Sequence, residues 1–172
     1  MLAFVRLTEN ELDELYTLST QTFKDTFASQ NTAENMTLYL EEYMSKSKLL
    51  EELTNPDSHF YFAYKDKDCI GYLKLNFNNA QKESIAHSKP FEVERIYVLK
   101  KWQRKRFGTQ LFEKAIQMGK EQDCEHLWLG VWEHNTTAIQ FYTQWGLVPI
   151  GSHNFMLGTD LQTDLLYCLN IK

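Results

Sequence analysis

Five cations fall within seven positions of this chain, Lys100, Lys101, Arg104, Lys105 and Arg106, although its formal net charge is −5. They lead into Gly108, where an amphipathic pattern begins on Leu111, Phe112, Ala115 and Ile116. A basic loop entering a helix can hold phosphate. The first backbone N–H groups of the helix lack intrahelical acceptors, its dipole is positive there, and cations strengthen the field. The plainer alternative is a solvated, charged helix face. The chain contains neither a Walker-type glycine-lysine loop nor a GxGxxG fingerprint, which excludes those two nucleotide folds.

Two carboxylates precede the loop. Glu92 and Glu94 lie on a strand-like stretch whose period-two alternation predicts a face shared with Ile96 and Val98. Such a pair can accept a proton or anchor a cation, and can equally pair with Arg95 and Lys74. His134 and His153 are weaker candidates for a base, since a lone histidine beside a cap or in a loop is more often structural. A third stretch, Trp128 to Leu147, reads as an apolar strand, an Asn135 cap and a helix ending at Gly146. Tyr142 on that helix is either a core aromatic or a proton donor.

The elements that must position these groups follow from periodicity. Residues 2–7 read as a strand. Thr8 and Glu11 have the spacing of a capping box, ahead of Leu12, Leu15, Tyr16, Ser19 and Phe23 at helical intervals. Asn31 with Glu34 marks a second helix start, before Met36, Tyr39, Leu40 and Tyr43. Lys46 to Leu53 adds a short helix stopped by Asn55-Pro56. Apolar alternation on Phe60–Tyr64 and Cys69–Phe77, around Asp66-Lys67-Asp68, predicts an antiparallel hairpin. Asn78 to Lys89 is a polar loop, and Phe91 to Val98 the next strand. A helix over 108–122, a strand over 126–132, the Asn135 helix and a last strand at 163–169 paired within 148–157 complete the chain. This order predicts one α/β (α+β) domain over 1–172, a mixed sheet with helices on both faces. Strand 91–98, helix 108–122 and strand 126–132 form a right-handed crossover in that reading.

Composition narrows the function classes. An apolar share of 43% with 14% aromatics belongs to a folded protein. The acidic balance argues against a general nucleic-acid binder. No apolar run reaches about 18 residues, so no membrane span is expected. Met1 to Leu7 is too short and mixed for an export signal, which points to the cytosol. Cys69, Cys124 and Cys168 are far apart, without a CxxC pair, and read as buried free thiols rather than a disulfide or metal framework.

Taken together, the basic loop and the Asn135 helix resemble the GNAT acetyltransferase superfamily in order and spacing. Gln103 to Gly108 lies over its Gln/Arg-x-x-Gly-x-Gly/Ala loop. Asn135, Ala138, Phe141, Tyr142 and Gly146 meet its later signature, with Leu147 in place of the last aromatic. Within the superfamily the chain looks most similar to PaiA-type polyamine acetyltransferases, through Thr22–Phe27, Glu94–Val98, Trp128–Glu133 and Gln162–Asp164. The resemblance implies a GNAT fold with a mostly antiparallel sheet, acetyl-CoA as cosubstrate, no metal, and a small amine, polyamine-like, as acceptor. It implies that Ile96, Tyr97 and Val98 meet the pantetheine arm and acetyl carbonyl. Arg104, Lys105, Arg106, Phe107, Gly108 and Thr109 would wrap the pyrophosphate. Asn135 would touch the arm and Tyr142 would protonate the leaving sulfur. The alternation itself, beside that site, makes Glu92 and Glu94 the candidates to accept the amine proton or hold a cationic substrate, with Asp25 on the first helix as a further anchor. Arg106 departs from the pattern, standing where the family has its first loop glycine. It brings strain if the position needs a positive φ, crowds the phosphates if only close approach matters, or contacts a phosphate itself. Competing readings are acetylation of another amine, a non-catalytic acetyl-CoA module with a degenerate loop, and a nucleic-acid regulator.

Overall fold

A computed structural model describes residues 1–172. The expected capping box forms: Thr8 N–H donates to Glu11 Oε2 at 2.7 Å, and the turn leads into α1 (Leu12–Phe27). The second helix, α2 (Ala33–Tyr43), starts from Thr32 rather than Asn31. Thr32 Oγ1 accepts from Asn35 N–H at 3.2 Å, while Asn31 turns its amide back to the Phe27 carbonyl. Ser45 caps α3 (Lys46–Thr54). The strands are β1 (Ala3–Arg6), β2 (Ser58–Lys65), β3 (Asp68–Asn76), β4 (Pro90–Val98), β5 (His126–Trp132), β6 (Val148–Leu157) and β7 (Asp160–Asn170). Two more helices, α4 (Phe107–Glu121) and α5 (Thr136–Gln144), flank β5 in sequence.

All seven strands join one sheet in the order β1-β2-β3-β4-β5-β7-β6, antiparallel except for β4 against β5. Each face carries its own apolar layer. Leu111, Phe112 and Ala115 of α4 and Tyr142 of α5 pack on Leu73, Leu75, Phe91, Val93, Leu127 and Leu129. On the other face Leu15 and Leu18 of α1 and Leu49 of α3 meet Phe60, Phe62 and Tyr72, and Phe23 of α1 meets Met36 of α2 and Leu157. The three cysteines are free; Cys168 is buried, while Cys69 and Cys124 are only half-buried. No helix is long and apolar enough to cross a membrane.

Two irregularities in β4 shape the middle of the sheet. Lys74 pairs with Arg95 but Leu75 pairs with Val93, so Glu94 is an extra residue, a β-bulge. The bulge breaks the period-two reading. Ile96 and Val98 lie with Phe91 and Val93 on the α4 side, while Glu92, Glu94 and Tyr97 look toward α1–α3. The expectation that Glu92 and Glu94 share a face with Ile96 and Val98 is therefore corrected. The second irregularity is a parting of strands. β5 accompanies β4 only through Pro90–His126, Phe91–Leu127 and Glu92–Trp128, and beyond them β4 has no neighbour on that side.

Candidate active site

The parted strands leave a backbone edge free. Leu99 N–H donates to Ile70, and in an antiparallel ladder alternate residues turn to the same neighbour, so Ile96 and Val98 direct their N–H and C=O groups away from β3. They face the gap. The Val98 carbonyl accepts from Gln103 Nε2 at 3.0 Å, which ties the basic loop to the end of the strand. Gly71 must be glycine there, because a Cβ would strike the Tyr97 carbonyl.

Beyond the edge the chain turns through the loop. Arg104 and Arg106 are both left-handed, with φ of 60° and 62°. Of the two glycine-pattern positions in the loop, it is Arg106, the non-glycine, that takes the conformation glycine would take without cost. The consecutive backbone N–H groups of residues 104–109 donate to no acceptor in the protein. Arg104, Lys105 and Arg106 are exposed around them, and Lys105 leans over the Trp102 ring at 4.9 Å. Free donors, a helix N-terminus and three cations form a site for a polyanion.

Across the gap, Asn135 Oδ1 accepts from Ala138 N–H at 3.2 Å, capping α5 as its position required. Tyr142 lies two turns on, buried against Phe112 and Phe141. Burial raises its phenol well above the ordinary tyrosine range, so it carries its proton at any physiological pH.

The carboxylates on the opposite face form a network. Glu94 pairs with Lys74 Nζ at 2.5 Å and Arg95 at 3.3 Å, and both cations also reach Glu52 of α3, at 3.0 and 2.9 Å. Burial would push the Glu94 carboxyl up, but Arg95, Lys74 and Lys82 outweigh it and hold the group down. The ion-pairing alternative describes Glu94 well. Glu92 has no cation. Its Oε2 accepts from Asn76 Nδ2 and Lys82 N–H, each at 2.9 Å, and burial together with the neighbouring Glu94 charge lifts its carboxyl to about 7. Asn76 Nδ2 also reaches Glu94, linking the two. Asp25 is exposed and bonded to Gln21 on α1. His134 is exposed beside Glu133.

Residues 12–147 match the model of the acetyltransferase (GNAT) family. The chain belongs to the GNAT family. It is an acetyl-CoA-dependent N-acetyltransferase. A relative from Lactobacillus delbrueckii subsp. lactis, named as an uncharacterized N-acetyltransferase, is 43% identical over 94% of this chain and 93% of its own. A spermidine N(1)-acetyltransferase from Thermoplasma acidophilum is 26% identical over 80% and 82%. Among solved structures, the PaiA N-acetyltransferase of the same organism, in complex with coenzyme A, superposes with a TM-score of 0.76 at 21% identity, covering 99% of both chains. A probable acetyltransferase from Staphylococcus epidermidis reaches 0.78 at 18% identity over the full length of each. At those identities the structural likeness speaks for the fold.

Sequence reasoning missed a further polar cluster on the sheet. The loop between β3 and β4 does not float: Trp128 Nε1 donates to Gln81 Oε1 at 2.7 Å, and Gln81 Nε2 to the Pro90 carbonyl at 3.1 Å. It brings Glu83 to within 3.0 Å of His153 Nδ1, whose Nε2 is 3.2 Å from Asp164. His153 is thus in a strand between two carboxylates, not in a loop. The polar run 78–89 carried the only available signal, its length.

Proposed function

We propose that this acetyltransferase acetylates a primary amine of a small polyamine of the spermidine type, as one cytosolic catalytic domain spanning 1–172. The observation that carries the assignment of the cosubstrate site is the parted β4 edge running directly into unpartnered N–H groups. A pantetheine arm hydrogen-bonds like a strand, and its pyrophosphate needs a cluster of donors. In this proposal the backbone of residues 96–98 orients the arm and polarises the acetyl carbonyl, Asn135 holds the arm from β5's side, and residues 104–109 take the pyrophosphate.

Acetyl-CoA supplies the thioester whose carbonyl carbon the neutral amine attacks. Tyr142 gives its proton to the departing sulfur. Glu92 takes the amine's proton through water, its carboxyl being matched to neutral pH by burial. Glu94, neutralised by Lys74 and Arg95, keeps the bulged strand and α3 in register.

Support for a polyamine comes from the Thermoplasma spermidine acetyltransferase among the relatives and from the acidic character of the α1–α3 face. The test is thiol release from acetyl-CoA with a panel of polyamines, amino acids, aminoglycosides and peptides. Spermidine or spermine should give the highest kcat/KM, falling as salt screens the attraction. A monoamine or peptide that outperforms them rejects the polyamine, and no thiol release with any amine rejects acetyl transfer.

A further inference from the structure

Apart from Glu92, already assigned as the proton acceptor, charge on the α1–α3 side of the sheet divides into two groups. Glu52 and Glu94 meet Lys74 and Arg95, two anions against two cations, and the group is closed. Asp164, His153 and Glu83 are different. No lysine or arginine bridges either carboxylate, and even with His153 protonated the trio keeps a net negative charge.

The placement of this charge is specific. Asp164 stands opposite Trp132 in the β5–β7 ladder, so the two side chains share a face. Gly130, two residues earlier on that face, has no side chain, and Asp164 Oδ2 lies 3.4 Å from where a Cβ would stand. The carboxylate therefore leans along β5, the strand that parts from β4. Trp132 is 6% exposed, and its indole N–H has no partner. The Phe27 ring meets Trp132 edge-on at 5.6 Å. On α2, Tyr39 stacks on Phe23 at 4.7 Å, next to Phe27 in the same aromatic run. Burial raises the Asp164 carboxyl, with His153 opposing. A partly buried, uncompensated carboxylate beside aromatic rings is a receiver for an organic cation.

We infer that Asp164, held in place by His153 and Glu83, receives an ammonium group of the acceptor amine and sets the preference for cationic acceptors. This rests on the acetyl-transfer reading above. Asp164 is the contact residue; His153 and Glu83 are positioning residues, and Glu83 reaches the site only because Gln81 and Lys82 pin its loop to β4 and β5.

The experiment compares wild type, Asp164→Asn and Glu83→Gln in steady-state kinetics with spermidine and with butylamine, alongside calorimetric titration of spermidine into the protein. Asp164→Asn should raise the spermidine KM and calorimetric Kd by roughly 10- to 100-fold, the loss of one charge-assisted contact. Butylamine should change less, and kcat and the acetyl-CoA constant should stay near wild type, as for an interaction equal in ground and transition states. Glu83→Gln, in an exposed segment, should move the same two constants by a smaller factor and serves if the first variant folds poorly. Unchanged spermidine constants in both variants would overturn the inference, as would a loss confined to kcat, which would make Asp164 a proton acceptor. A wild type that turns over no amine but loses spermidine affinity on Asp164→Asn would sink acetyl transfer while the receiver stands.

Discussion

Replacing Arg106 separates backbone from side chain in the loop. A non-glycine residue in the left-handed region costs about 1–2 kcal/mol, and Arg106 sits at φ 62°, ψ 16°. Arg106→Gly removes that cost but adds roughly 0.5–1 kcal/mol through the freer unfolded chain. The net gain centres on about 0.75 kcal/mol within a range of about 0–1.5, or roughly 2–3 °C in Tm for a chain of this size. Arg106→Ala removes the same exposed guanidinium yet keeps the Cβ, so it isolates the backbone contribution. We expect the glycine variant to melt above both the wild type and the alanine variant by differential scanning calorimetry. If the guanidinium holds a phosphate, both variants should raise the acetyl-CoA constant about tenfold or more; if it crowds the ligand, both should lower it. Equal melting temperatures for the glycine and alanine variants would refute the strain argument.

Reversing Arg104 and Lys105 to glutamate should raise the acetyl-CoA constant by about tenfold or more while leaving the amine constant nearly still, in initial-rate kinetics. Tyr142→Phe should lower kcat by roughly 10²- to 10⁴-fold with acetyl-CoA affinity intact by titration, and wild-type turnover would reduce Tyr142 to a core aromatic. Glu92→Gln tests linkage. The native carboxyl titrates near 7 against an ordinary 4.5, so between those values the folded chain binds the proton that the unfolded chain has released, and stability falls as pH rises through that window. The variant should flatten the fall in Tm between about pH 5 and 7, and an unchanged slope would assign the fall to other groups.

Much of this arrangement is legible in the chain. The capping box at Thr8, the Asn135 cap and the period change at Phe60 fix element positions locally, because each depends on residues a few positions apart. The bulge at Glu94 is not legible. A period-two pattern contains no mark of an extra residue, and that single insertion moved Ile96 and Val98 to the other face. The glycine pattern did flag Arg106 as a position where φ matters, and its sign needed the backbone. Glu83 was illegible as a partner of the His153–Asp164 hairpin pair because its loop reaches those strands only through tertiary closure.

The parting of β4 from β5 shifts a mechanical duty onto side chains. With the ladder broken after Glu92, α4 packs beneath the sheet there, and its Phe112 is fully buried against the rings of Phe141, Tyr142 and Trp145. That ring is the surface on which Tyr142 packs, at 5.8 Å between centroids. Truncating a buried phenylalanine typically costs about 3–5 kcal/mol. Here the loss would also remove the support of the Tyr142 ring, so a residue with no polar group of its own bears on where that phenol stands.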